Sequence, residues 1–345
     1  MPDPQGPAVG PGPQRPAGPD PRRPDGVPDP RRPAGPDPRR PDGVLGVDVG
    51  GTKVALRAEA AGRPAYDRVF HWPRGGDATA DLAVLAAEAD RLRGAWGPVG
   101  AVGVAMPATT DAAGTVTTWP GRPGWAGLDL AGALRRVFPD ATTAVADDGD
   151  LAALAEARHA GHDDVVYLGV GTGVGGGVVL AGRSVPGRSS AEVGHMVVAL
   201  DGARCDCGRR GCLQSVASGP ATLRRAGAAR GAEVSFDDLR AGLRDGRTWA
   251  VDAVEASCRA LAAAVVSLGE LLDPAVAIVG GGFAAGLPGF VPLVADRARS
   301  AGRPGRPAPP VLPAALGGLS SLHGAVELAR GLAGAPHSRS PVSTP

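Results

Sequence analysis

The sequence predicts an α/β protein of two lobes. Three short apolar strands each run into a glycine-rich turn: Leu45-Gly-Val-Asp-Val49 into Gly50-Gly51-Thr52-Lys53, Val165-Val-Tyr-Leu168 into the glycines between Gly169 and Gly177, and Ala275-Val-Ala-Ile-Val279 into Gly280-Gly281-Gly282. Ala/Leu-rich stretches with helical spacing lie at 80–94, 150–160 and 253–272, which predicts mixed sheets covered by helices. A chain of 345 residues has room for two such lobes of ordinary size.

Taken in order, residues 1–44 stand apart. They hold 15 of the 35 prolines, and the unit Pro-Ala-Gly-Pro-Asp-Pro-Arg-Arg-Pro-Asp-Gly-Val occurs at 16–27 and again at 33–44. Such a segment buries too little apolar surface to offset its ordering entropy and is expected to be a disordered tail of polyproline character. Order is expected from Leu45, where a strand, a tight glycine turn and a returning strand from Val54 let backbone N–H groups approach a phosphate. Asp48 at the strand end is placed to hold Mg²⁺ through water, and Lys53 to neutralise phosphate charge. The turn is too short for a Walker loop, which needs a longer glycine run and Lys-Ser/Thr before a helix. In the second turn Gly171, Thr172 and Gly173 repeat the pattern, and Gly280, Gly281 and Gly282 close the third strand. Two phosphate-facing turns and one nucleoside-facing turn on a common cleft account for all three.

The cysteines point to a metal. Three of the four, Cys205, Cys207 and Cys212, fall within eight residues, ten residues after His195. Three thiolates and one imidazole are what a closed tetrahedral zinc site requires, and Gly208 and Gly211 allow the tight curl. The N-terminus lacks a basic start followed by an apolar run, so the chain is expected in the reducing cytoplasm, where clustered cysteines favour metal over disulfides. Glu192, three residues before His195, would sit on the loop that the metal braces. Cys258, in an apolar helical stretch, reads as a core residue.

Composition narrows the partners. The net charge is +1 with acids and bases interspersed, which leaves no electrostatic footprint for nucleic acid or an anionic membrane. No apolar run approaches the roughly 18 residues of a membrane helix. Aromatics make up only 3%, so the core must come from Ala, Val and Leu.

From about residue 45 to 332 the chain resembles the ROK family of sugar kinases and sugar-responsive repressors, within the actin-like ATPase superfamily. The resemblance rests on Leu45-Gly-Val-Asp-Val-Gly-Gly-Thr-Lys53, Gly171-Thr-Gly-Val-Gly-Gly-Gly177, Glu192-Val-Gly-His195, Cys205-Asp-Cys-Gly-Arg-Arg-Gly-Cys212 and Val279-Gly-Gly-Gly282, in that order. Trp119-Pro-Gly-Arg-Pro-Gly-Trp125 is similar to a segment of actinobacterial glucokinases of the family. The proline-rich segment occupies the place of the repressors' helix-turn-helix domain, which disfavours a repressor. The resemblance implies a two-lobed actin-like (ribonuclease H-like) fold with a zinc loop, an N-terminal lobe at 45–150 and a C-terminal lobe at 151–345 whose last helix returns to the first. It further implies ATP, Mg²⁺ and Zn²⁺ as cofactors, a small-molecule sugar or cyclitol as substrate, and a homodimer. Its Asn-Asp-Ala-Asn pattern aligns with Asp147-Asp148-Gly149-Asp150 and places the general base at Asp148. Asp147, Glu192, His195 and Gln214 then fall at sugar-contacting positions. By chemistry alone, three carboxylates at a helix start also read as capping and dipole-complementing groups.

The departures from the family bear on the substrate. Family kinases usually carry Asn at the positions of Asp147, Asp150 and Gly121, and Glu at that of Gln214. An ionised Asp147 only accepts hydrogen bonds and favours a donor such as an ammonium group, whereas Gln214 offers an N–H and favours a carbonyl or ether oxygen. Adjacent carboxylates also repel, which raises the apparent pKa of the base. These changes favour a C7 cyclitol of valiolone type or an amino sugar of kanosamine type from secondary metabolism, with a lean toward the cyclitol. Ordinary glucokinase activity is the alternative, and a non-catalytic sugar-binding regulator is the alternative of another class.

Overall fold

The structure, a computed structural model, describes residues 41–185 and 191–334. The tail expected over 1–44 thus lies outside the described residues up to residue 40. The first sheet contains β1 (Val44–Val49), β2 (Lys53–Glu59), β3 (Tyr66–His71), β4 (Ala101–Ala105) and, after a small ribbon of β5 (Thr109–Thr110) and β6 (Val116–Thr118), β7 (Thr142–Ala146). Their spatial order is β3-β2-β1-β4-β7, with β1 antiparallel to β2 and parallel to β4. The second sheet contains β8 (Val165–Val170), β9 (Val174–Leu180), β10 (Arg183–Ser184), β11 (Val276–Gly280) and β12 (Val311–Pro313), in the order β10-β9-β8-β11-β12. Here too an antiparallel hairpin, β8–β9, is followed by a parallel neighbour, β11. One plan is therefore used twice, as expected of a two-lobed actin-like fold.

The central strands β4 and β11 are buried at every residue. That burial explains why they read as unbroken apolar runs: helices cover both faces of a parallel segment. The helices are α1 (Ala78–Ala95), α2 (Leu130–Val137), α3 (Asp148–Ala160), α4 (Leu213–Ala217), α5 (Gly219–Arg230), α6 (Phe236–Arg244), α7 (Thr248–Leu272), α8 (Gly282–Ala285), α9 (Phe290–Ala301) and α10 (Ser320–Gly334). Helix α7 packs on α9, α5 and α4, and Cys258 lies fully buried in that core. None of the described helices is long and apolar enough to cross a membrane.

Helix α10 packs on β1 and β4 of the first sheet and on α3. Its approach is so close that side chains are excluded along the seam. A Cβ on Gly103 would lie 2.1 Å from the Ala325 carbonyl, and one on Gly324 would lie 2.0 Å from that of Leu151.

One expectation is corrected. The run Gly169–Gly177 was read as a single turn, but the turn is only Gly171–Gly173, and Gly175, Gly176 and Gly177 pair with β8 as part of β9. Gly176 and Gly177 serve close packing instead. A Cβ on Gly177 would lie 2.7 Å from the Asp150 Cα, so the bare strand lets the start of α3 lie against it.

Candidate active site

The two hairpin turns and the β11 turn meet on one cleft. A cavity of about 910 Å³ is lined by Gly50, Gly51, Gly121, Asp148, Gly149, Tyr167, Gly171, Thr172, Gly173 and Gly281, among others. Gly281 has φ 88° and a Cβ there would lie 2.4 Å from the Val170 carbonyl oxygen, so the third turn tolerates no side chain. Thr52, Lys53, Gly280 and Gly282 flank this cavity rather than line it. A second cavity of about 570 Å³ is lined by Pro107, Thr109, Asp147, Asp150, Ser184 and Glu192, among others. Pro107 lines both cavities, so they adjoin where α3 begins.

Helix α3 starts where it does because Asp147 caps it: Asp147 Oδ1 accepts from the Gly149 N–H at 2.9 Å and from the Asp150 N–H at 3.4 Å. The cap presents Asp148 to the first cavity while Asp147 and Asp150 line the second. Capping and site geometry are thus one arrangement rather than alternatives. Burial, with the Asp147 and Asp48 carboxylates nearby, raises the Asp148 carboxyl to about 6. Burial likewise raises Asp48 to about 6, opposed by Lys53, and raises Asp150 to about 6, helped by Asp147 and Glu192. Asp48, at the end of β1, is near enough to Asp148 at the start of α3 for its charge to help raise that carboxyl. Two such oxygen donors beside a phosphate-binding turn suit a hard cation such as Mg²⁺.

The metal cluster is present as a geometric fact. One ligand atom from each of His195, Cys205, Cys207 and Cys212 lies within 4.8 Å of all the others. Cys205 Sγ is 3.7 Å from His195 Nδ1 and Cys207 Sγ is 3.6 Å from Cys212 Sγ. A tetrahedral ion with bonds of about 2.3 Å to sulfur has edges of about 3.8 Å, so the four ligands fit zinc. Burial pushes the Cys212 thiol up, and a bound cation displaces that proton. Gly208 (φ 89°) and Gly211 (φ 71°) turn the loop, and a Cβ on Gly211 would lie 1.6 Å from the Ala199 carbonyl oxygen. With Nδ1 toward Cys205, His195 Nε2 lies 4.0 Å from Glu192 Oε2, so a bound ion would fix the ring toward the residue that lines the second cavity.

Gln214, expected at a sugar-contacting position, lies between the Cys₃His loop and Gly173, where a Cβ would be 3.2 Å from its Oε1. Its Nε2 donates to Cys205 Sγ at 3.4 Å, and it lines neither cavity. The structure thus groups Asp147 and Glu192 with Asp150, and holds Gln214 and His195 at the metal.

Two further sets of residues escaped the motif reading. Tyr167 lines the first cavity, with burial raising its phenol to about 12. Beneath the first turn, Arg122 and Asp81 form a buried ion pair alongside Trp72 and Trp125. The clustered aromatics of Trp119–Trp125 were the only signal for the latter.

A bilobal cleft with paired glycine turns, a carboxylate at a helix start and a Cys₃His loop defines an ATP-dependent carbohydrate kinase. The chain belongs to the ROK family, whose profile matches residues 44–331. It is 54% identical over 288 residues to a kanosamine kinase from Amycolatopsis mediterranei, covering 83% of this chain and 95% of that one. A glucokinase from Streptomyces coelicolor is 28% identical over 317 residues, with 83% and 97% covered. Among solved structures, a ROK hexokinase from Thermus thermophilus superposes with a TM-score of 0.77 at 31% identity, covering 84% of this chain and 98% of that one. A ROK family glucokinase from Streptomyces griseus in complex with glucose and AMPPNP gives 0.66 at 30% identity, with 84% and 99% covered.

Proposed function

We propose that this kinase phosphorylates the primary hydroxyl of an amino sugar of kanosamine type. The carrying observation is the acidic lining of the second cavity, where Asp147, Asp150 and Glu192 converge beside Asp148. Burial, with the charges of Asp147 and Glu192, raises the Asp150 carboxyl to about 6, so the cavity holds unrelieved negative charge. An ammonium group on the substrate relieves that charge and donates to carboxylates that can only accept. Glucose, with neutral hydroxyls, offers no such compensation. The argument for a keto-cyclitol rested on a Gln214 N–H; Nε2 gives one of its two N–H groups to Cys205 Sγ at 3.4 Å, and the cyclitol therefore stays in the substrate panel. Similarity to the kanosamine kinase of Amycolatopsis mediterranei supports the amino-sugar reading.

In the reaction Asp148 serves as general base. The substrate's primary oxygen attacks the γ-phosphorus of ATP, the bond to the β-phosphate oxygen breaks, ADP leaves, and the hydroxyl proton passes to the Asp148 carboxylate. The turns at Gly50–Gly51 and Gly171–Gly173 hold the phosphates in line, and catalysis is largely positioning. Magnesium, when bound, neutralises phosphate charge. From family membership we also propose a homodimer, which sedimentation equilibrium tests.

The deciding experiment measures kcat/KM with Mg-ATP for kanosamine, glucose, N-acetylglucosamine and a C7 cyclitol. The unmodified chain is expected to prefer kanosamine. Asp147→Asn and Asp150→Asn should each reduce kcat/KM for kanosamine about tenfold or more while sparing glucose, as the loss of a charge-assisted hydrogen bond implies. Preference for glucose or the cyclitol, or equal losses on every sugar, overturns the assignment.

A further inference from the structure

The phosphate turn between β1 and β2 is held from beneath by residues remote in sequence. The Trp72 indole Nε1 donates to the Gly50 carbonyl at 2.8 Å, and the Trp72 backbone N–H donates to the Thr52 carbonyl at 3.1 Å. Two carbonyls of the turn are thus pinned to one buried residue. No peptide bond among the described residues is cis, and in a trans peptide C=O and N–H point in opposite directions. Tying the Gly50 carbonyl back to the buried indole therefore turns the Gly51 N–H outward, toward the cavity that Gly50 and Gly51 line.

Trp72 is itself fixed. The Arg122 guanidinium lies over its ring at 5.6 Å, and the Trp125 ring meets it edge-on at 6.0 Å. Arg122 Nε donates to Asp81 Oδ2 at 2.7 Å, Arg122 Nη2 donates to the Pro73 carbonyl at 3.0 Å, and Trp125 Nε1 donates to Asp81 Oδ2 at 2.8 Å. Asp81 is fully buried, so this ion pair is well shielded from water. The same loop brings Gly121 against the turn from the cavity side, where a Cβ would lie 3.2 Å from the Gly51 Cα. The Gly50–Gly51 peptide is gripped on both sides.

We infer that Trp72, backed by the Arg122–Asp81 pair, is a positioning residue for ATP: it aims the Gly51 N–H at a nucleotide phosphate. This rests on the nucleotide reading of the cleft and is independent of which sugar is phosphorylated. Trp72→Phe keeps an aromatic ring in the core while removing the indole donor together with part of the ring's volume.

Affinities of the Mg-AMPPNP complex and of adenosine, measured by calorimetry on the full chain, test it. Trp72→Phe should weaken Mg-AMPPNP about tenfold or more, in line with one hydrogen bond to a charged group. Adenosine affinity and the KM for sugar should stay unchanged. A merely structural role would weaken both nucleotide ligands alike, and that result, or no change in either, overturns the inference. If Trp72→Phe does not fold, Gly121→Ala tests the placement of the turn from the other face, since its methyl presses on Gly51 and on the Trp119 indole at 3.3 Å while leaving Trp72 intact. A phosphate-selective loss there supports the inference and an unselective one overturns it. Failure of the unmodified chain to bind Mg-AMPPNP more tightly than adenosine would instead sink the nucleotide reading itself.

Discussion

As the proposed base, Asp148 has two demands to meet, since a base must be ionised yet hold a proton once it takes one. A carboxyl raised to about 6 by burial and its acidic neighbours meets both near neutrality. The rate profile should follow: kcat/KM should fall about tenfold per pH unit below pH 6, and Asp148→Asn should cost about 10²–10⁴ in kcat on every sugar. Stability should run the other way. The folded Asp150 carboxyl titrates near 6 rather than 3.8 because burial, Asp147 and Glu192 disfavour its charge. Between those values the folded state holds the extra proton, so this group's stabilisation is present at low pH and is lost as pH rises through 6. Asp150→Asn should therefore raise the melting temperature of the ligand-free enzyme by a few degrees at pH 7.5 and change it little at pH 4. The position of Asp148, at the start of α3 and on the first cavity, was legible because the motif sets its register. Trp72 was not, because its partner Gly50 is 22 residues away, and the Arg122–Asp81 pair spans 41. Contacts at that separation leave no periodic trace.

At the scale of elements, the zinc loop is the clearest case of sequence dictating structure. Ligand types, spacing and the two glycines all point to one closed site, and the His195–Cys205–Cys207–Cys212 cluster forms. Metal analysis should find about one zinc per chain. Cys207→Ser should abolish it and weaken sugar binding, because His195 and Glu192 lose their orientation. Zinc loss with sugar affinity unchanged would reduce the loop to a folding staple. The β8–β9 hairpin shows where reading by composition fails. Gly175–Gly177 look like turn residues, yet they are strand residues, and Gly177 is bare where the start of α3 lies against it while Gly176 is bare against Tyr167 and Val193. Glycine signals a need for space or for positive φ, and only the tertiary partner tells which.

For the molecule as a whole, the doubled plan was legible in the recurring strand-and-glycine grammar, while the seam between α10 and its partners was not. That seam depends on Gly46, Gly103 and Gly324 meeting α10 or α3 at contact distances, and single glycines in apolar runs carry no such label. Glu156 reinforces it: from α3 its carboxylate accepts from the Ala315 and Leu316 N–H groups at 2.9 and 3.0 Å and from the Ser320 hydroxyl at 2.6 Å. Gly103→Ala drives a methyl into the Ala325 carbonyl and should cost about 2–3 kcal/mol, measurable by urea unfolding. An unchanged midpoint would mean that α10 can retreat from the sheet.

The placement of α10 also bears on how the chain is made. The strands β1 and β4 are among the first elements to be synthesised, and the helix that covers them follows β12, after every other strand and helix described. Until α10 emerges, one face of the first sheet stays uncovered, and a ribosome-bound chain exposes Val44, Ala101 and Ala105, which pack on α10 in the folded protein. The first lobe to be translated is thus completed last, which makes shielding of the nascent chain a requirement of this architecture.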